Sequence, residues 1–269
     1  MITEKLSVND VLRMLLILTL TFASSSPANS QYRFISESNE ATQLLIEELA
    51  EMFRAAKVVI FKNQPLINAK KADKSTLFGE AYLSQIRKTY QKISGKPFPK
   101  PGHRIKDELL KAMVDVMGDN EMLITDTDLG FKGLIPATYS SQLSHKFSTL
   151  GLGVKLKFTA PNHLLRNKLN APDDWEKKIL LRFTESTWIK HQAVFDTNAS
   201  LNGKSAFRYM TPLYHDGADC LGCHGMPENN PDNAGKPESE WTKIDRSGFQ
   251  MEGVSKGQLG GGVSISILK

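Results

Sequence analysis

The chain has 269 residues, 40% of them hydrophobic and 23% charged, which suits a globular protein of one or two domains with a substantial core. Its 34 Lys and Arg outnumber its 29 Asp and Glu by five, but they are spread out, with no dense basic tract interleaved with aromatics. A nucleic-acid partner is therefore not expected, and an acidic protein or an anionic membrane surface suits the charge better. There are only two cysteines, three positions apart, which excludes a disulfide framework and gives this pair a local task.

The N-terminus reads as an export signal. Arg13 precedes the apolar run from Met14 to Ala23, which is half the roughly 20 residues a membrane span needs. Ala28-Asn29-Ser30 carries small residues where a signal peptidase reads, so residues 1–30 are expected to be removed before Gln31. An uncleaved anchor is the second reading. No cysteine follows the run, which argues against a lipoprotein, and no second apolar span occurs. The mature chain, 31–269, is expected to be one soluble periplasmic domain.

Leu45, Leu49, Met52, Ala56 and Val59 recur at spacings of three and four, predicting a long amphipathic helix over 39–62 that Asn63-Gln64-Pro65 stops. A second helix is expected over 75–93, followed by the Pro/Gly linker 95–102. A third spans 105–117, with Gly118 as its stop, and a fourth opens at Pro136 and runs to about Leu150. The period then changes. Val154-Lys155-Leu156-Lys157-Phe158 alternates as a half-buried strand does. Asp173 with Glu176 reads as a capping box for a helix running to about Ser186. Residues 206–214 are strand-like but contain Pro212, which suggests an edge strand or an early end. Residues 262–268 alternate strictly and close the chain as a strand. Helices first, then strands mixed with helices, argue an α+β fold: a helical N-terminal half on a small antiparallel sheet.

Cys220-Leu221-Gly222-Cys223-His224 is a C-x-x-C-H sequence, the attachment signal of one covalent c-type haem. Two thiols about one helical turn apart can add to the two vinyl groups on one edge of the porphyrin. The adjacent His224 then presents an imidazole to the iron as the proximal ligand. Three other readings compete: a thioredoxin-like redox pair, a surface disulfide, and a zinc module using His215, Cys220, Cys223 and His224. Export favours haem, because c-type attachment takes place outside the cytoplasm, and it makes the haem maturation machinery a partner during biogenesis. The sixth iron position stays open. Met52 is one candidate, as are His191 and His145, although a Met on an apolar stripe also serves as core packing. Arg166 and Arg208 could pair with haem propionates, or form ordinary ion pairs. The glycine-rich run 257–262 lacks the spacing of a nucleotide loop and reads as a tight turn. No catalytic triad or carboxylate pair stands out, so an enzyme is not expected.

Four stretches carry a family resemblance. They are residues 130–137, residues 165–176 (Arg166-Asn167, then Asn170-Ala171-Pro172-Asp173-Asp174-Trp175-Glu176), residues 207–225 with the Cys motif, and residues 259–265. Together they resemble the PAS-like c-type haem domain family, whose members are periplasmic sensor domains of bacterial signalling proteins and stand-alone cytochromes. The resemblance implies a PAS-like antiparallel sheet with a long N-terminal helix and a haem beside the sheet. It also implies attachment at Cys220 and Cys223 and iron ligation by His224. Some relatives use a cysteine as the sixth ligand, and this chain has none to offer. The expected role is electron transfer or redox response with a partner protein; a gas or redox sensor subunit signalling to a membrane protein is the alternative.

Overall fold

The computed structural model describes residues 38–269. The expected export signal lies outside them. Helix α1 covers Asn39–Lys62, and the Ser38 hydroxyl accepts a hydrogen bond from the Ala41 amide at its start. Its predicted stripe is buried, joined by Ile46, Phe53 and Ile60. Pro65 does not leave a loop. It opens a short helix, α2 (Gln64–Asn68), where its missing N–H costs nothing. Helix α3 covers Gly79–Ser94 after a single 3₁₀ turn at Ser75–Leu77, and Gly95 ends it in the left-handed region at φ 67°.

Helix α4 (Arg104–Asp119) runs through Gly118, contrary to the expected stop; Asn120 caps it instead, and another turn, α5 (Glu121–Thr125), follows. Helix α6 is Pro136–Ser148. Among the described residues, no helix is long and apolar enough to cross a membrane.

The second half holds a four-stranded antiparallel sheet in the order β1-β4-β3-β2. Its strands are β1 (Val154–Thr159), β2 (Val194–Leu201), β3 (Lys204–Tyr214) and β4 (Leu259–Leu268). Helix α7 (Asp174–Arg182) lies between β1 and β2. Its predicted capping box is present, but it ends four residues earlier than expected. The fold is thus α+β, as the order of predicted elements argued. Strand β2 was not expected. Its signal was Asn202-Gly203, a two-residue hairpin turn with φ of 50° and 77°, which joins Leu201 to Lys204. Strand β3 is not an edge strand, yet it tolerates Pro212 because β2 reaches only as far as Met210. At Pro212 one side of β3 is unpaired, so no ladder bond is missing there. The expected turn at 257–262 is confined to its beginning, with Gly257 at φ 83°, while Gly260 to Gly262 lie within β4.

The register sorts side chains onto two faces. Leu156 and Phe158 of β1, Phe207 and Tyr209 of β3, and Val263, Ile265 and Ile267 of β4 share one apolar face with the core of α1, α3, α4 and α6. The other face carries Lys157, Arg208 and Met210, and α7 covers it with Ile179 and Leu180.

Candidate cofactor-attachment site

Strand β3 delivers the chain out of the sheet at Tyr214. The next residue, His215, is clipped to the turn before β4: its amide donates to the Gln258 carbonyl at 2.9 Å, and its carbonyl accepts from the Gly257 amide at 2.9 Å. Its imidazole rests on Gly260, where a Cβ would stand 2.5 Å from Nε2. This close approach is one reason for glycine at that point of β4. Helix α8 (Ala218–His224) then carries the whole motif in one short helix, with His224 as its last residue.

Cys220 and Cys223 are partly exposed free thiols, not joined to each other. Burial, with Asp245 adding, pushes the Cys223 thiol up from its ordinary value. Among the described residues, no three His, Cys, Asp or Glu side chains come together as a metal cage, which tells against the zinc module. Leu221, between the two thiols, packs with Ala160, Leu164, Leu165 and Val254 in a small apolar cluster. That cluster suits one edge of an apolar macrocycle.

The segment 251–254 lies along the end of α8. The Val254 amide donates to the His224 carbonyl at 2.9 Å, and the Gly253 amide to the Gly225 carbonyl at 3.2 Å. This brings Glu252 against His224, with Oε2 2.9 Å from Nδ1. An ionised carboxylate only accepts, so Nδ1 carries the proton in this contact, which leaves Nε2 as the ring nitrogen that could meet a metal. Burial alone would raise the Glu252 carboxyl; the hydrogen bonds from His224 and Arg166 outweigh it and pull it down to about 2. The donor set therefore fits a c-type haem: two addressable thiols a turn apart, one imidazole in the right tautomer, and an apolar wall.

Arg166 lies at this site, in a different role from the one expected. Its guanidinium forks onto Glu252, with Nε at 2.6 Å and Nη2 at 2.8 Å, and it pairs with Asp245. Nη2 also donates to the Cys223 carbonyl at 2.9 Å. Its donors are spent on protein groups, so it braces the attachment turn and is not poised for a propionate. Arg208 is elsewhere. It is 2% exposed on the sheet face under α7, paired with Asp173 at 2.8 Å and Glu176 at 3.4 Å, and stacked over Trp175 at 4.4 Å. Its Nη2 is engaged by these two carboxylates, so the structure accounts for it as a buried ion pair. Met52 is fully buried among the helices, and beside it lie Phe98 and Leu110; the structure does not bring it to the motif. Its place on the apolar stripe, which raised it as a ligand, is explained by core packing.

His145 is exposed at the end of α6, and exposed His191 packs edge-on against Tyr214. His215 does reach the site: its ring centroid is 4.9 Å from that of His224. Burial first, and His224 second, push its imidazole down to about 4. Glu252 and Asp245 were not found from sequence. They sit in an irregular loop whose residues have no period, and nothing local links them to a histidine 28 and 21 positions earlier, respectively.

No curated protein and no solved structure matches the chain. The model of the Tll0287-like family matches residues 28–267, which contain the helical half, the sheet and the attachment turn, and the chain belongs to that family.

Proposed function

We propose that this protein is an exported, periplasmic monohaem c-type cytochrome of PAS-like fold that acts in electron transfer or redox response. The observation that carries the reading is the His224–Glu252 contact. It gives the five-residue motif an imidazole held at Nδ1 by a carboxylate, beside two free thiols, as a metal-binding histidine would be. Membership of the family supports the reading, as does an antiparallel sheet with its apolar face on a long N-terminal helix. Cys220 and Cys223 would hold the porphyrin through thioethers, and His224 would bind the iron. The haem supplies a one-electron couple. The chain orients the ligand through Glu252, braces the turn through Arg166 and shields one edge with Leu221, Leu164 and Val254. The partner is a redox protein or a membrane signalling protein, and no enzymatic step is assigned.

The test is a reduced-minus-oxidised absorption spectrum of the protein made with the c-haem maturation machinery, with and without carbon monoxide. Absence of haem bands would sink the reading. Replacing Cys220 and Cys223 by Ala should leave no haem covalently bound. A spectrum changed by carbon monoxide would favour the sensor over the carrier.

A further inference from the structure

Helix α7 has an inner and an outer side. Glu176, Ile179, Leu180 and Phe183 turn inward, at the three- and four-residue spacing of one helix face. Lys178, Leu181 and Arg182 recur at the same spacing on the outside and are exposed, Leu181 by 68%. The chain then runs through consecutive turns, held by amide bonds from Thr184 to Leu181, Glu185 to Arg182, Trp188 to Glu185 and Gln192 to Ile189. Ile189 is 69% exposed, and next to it Trp188 takes the Arg182 guanidinium over its ring at 5.1 Å. Tryptophan and arginine are the residues on which protein interfaces most often depend. The same stretch carries two local costs. His191 stands in the left-handed region at φ 69°, and the buried Nε1 of Trp188 has no acceptor among the described residues. Costs of this kind collect where a surface has a task.

The face is basic. Lys177 pairs with Asp174 at 2.9 Å and Lys190 with Asp216 at 2.7 Å. Beyond those pairs, exposed Lys178, Arg182 and Lys256 have no ion pair among the described residues, against Glu185 alone on the acidic side. Lys256 belongs to this face because it precedes Gly257, where a Cβ would stand 3.7 Å from Lys190 Nζ. The face also backs onto the attachment site. Trp188 and Tyr214 border one apolar cluster with Phe183 and Leu259. Tyr214 is followed by His215, whose ring rests on Gly260, next to Leu259, and lies 4.9 Å from the ring of His224. A packed series of side chains thus joins the outer face of α7 to His224.

We infer that the outer face of α7 with the turns that follow it is where an acidic redox protein docks to exchange an electron with the haem. The inference rests on the haem reading above. One electron passes from the partner's reduced centre to the ferric iron, which becomes ferrous while the partner is oxidised; no bond forms or breaks and no proton moves. Leu181 and Ile189 form the apolar centre of the face, and Lys178, Arg182 and Lys256 its charged rim, which steers an acidic partner into place. An anionic lipid surface is the competitor, since it too attracts a basic face. Asp174, 91% exposed, Asp216 and Glu185 stand among the bases. A continuous layer of like charge repels all three, whereas a protein can set a lysine against each.

The experiment uses the haem-loaded chain, labelled with nitrogen-15, and an acidic two-iron ferredoxin as the probe. At low ionic strength the amide resonances of residues 178–192 should move on titration with the probe, and about 0.3 M salt should abolish the movement. Lys178→Glu combined with Arg182→Glu, and separately Ile189→Ser, should weaken binding at least about tenfold. Both should slow reduction of the ferric haem by reduced ferredoxin to a similar degree, with covalent haem and its absorption spectrum unchanged. Lys70→Glu combined with Lys71→Glu makes the same charge change on exposed lysines of the helical half and should do neither. Equal losses in the two charge variants would make net charge the cause and overturn the inference. Should the variant at Arg182 not fold, Ile189→Ser and the salt dependence still decide. Resonances that move around the attachment turn instead, or none that move, would overturn it. So would binding of the wild type to phosphatidylglycerol vesicles that Ile189→Ser loses, or a dimer of the chain that Ile189→Ser dissociates. A wild type without covalent haem would instead overturn the haem reading itself.

Discussion

Replacing Arg166 by Ala removes the brace between the attachment turn and the 245–252 segment. The side chain is 17% exposed, and its partners Asp245 and Glu252 are 0% and 14% exposed, so solvent cannot replace it fully. Breaking a buried pair by deleting one partner costs about 3–5 kcal/mol. Here the lower end applies, because both carboxylates keep other donors: Glu252 retains His224, and Asp245 retains the Ser247 hydroxyl and the amides of Ser247 and Phe249. A loss of about 3 kcal/mol corresponds to a fall of about 1–3 M in the urea midpoint, for slopes of about 1–3 kcal/mol per M. The assay is urea unfolding followed by far-ultraviolet circular dichroism. Arg166→Lys keeps the charge but not the fork, and should fall between the two. A midpoint for Arg166→Ala within about 0.3 M of wild type would refute the reasoning, since it would put the loss well below that of a broken buried pair.

Glu252→Gln exchanges a charge-assisted hydrogen bond on His224 for a neutral one, a difference of about 1 kcal/mol. In the haem-loaded protein this should raise the midpoint potential by about 40 mV for a one-electron couple, read by redox titration; an unchanged potential would mean that Glu252 does not act through His224. Gly261→Ala places a Cβ 2.3 Å from the Thr159 carbonyl oxygen, between two paired strands, and should cost about 2–3 kcal/mol. Gly257→Ala has room and suffers only its φ of 83°, so it should cost about 1 kcal/mol; equal urea midpoints would contradict the close-approach account. For Asp173, burial is outweighed by the Arg208 hydrogen bond and the Glu176 amide, leaving its pKa below the ordinary 3.8. The folded form then binds the proton more weakly than the unfolded one, so this contribution is complete above 3.8 and is lost as the pH falls through the folded value. Asn still caps a helix, so the stability gap between wild type and Asp173→Asn should shrink on acidification; a gap independent of pH would count against the ion pair.

The chemistry of attachment was legible in five consecutive residues because it depends on local spacing. Two thiols a helical turn apart, followed by an imidazole, are set by the backbone of one short helix. The long helix 39–62 was equally legible, since burial of one face imposes its own period on the sequence. So was the capping box at Asp173 and Glu176, which is made within four residues. The boundaries that went astray involve competition with distant partners. Gly118 would have ended an isolated helix, but α4 continues through it to Asn120, whose side chain bonds Gln142 on α6. Pro212 argued against a central strand, and only the length of β2 shows that its missing N–H is not needed.

The surroundings of His224 were decided entirely by tertiary structure. Glu252 is 28 residues away and Arg166 is 58 residues before the histidine, both in irregular segments that carry no repeating pattern. Arg208 looked like a propionate partner from its nearness in sequence to the motif, but strand alternation turns it toward α7 and Asp173. Met52 and Lys57 share one helix and differ only in angle around it; the packing of that helix on the sheet sends the first into the core and the second toward Phe158. Sequence alone determined where the motif is and which imidazole it offers, because covalent neighbours are enough for that. What holds that imidazole, and what faces it, depended on segments brought together only when the sheet buries its apolar face.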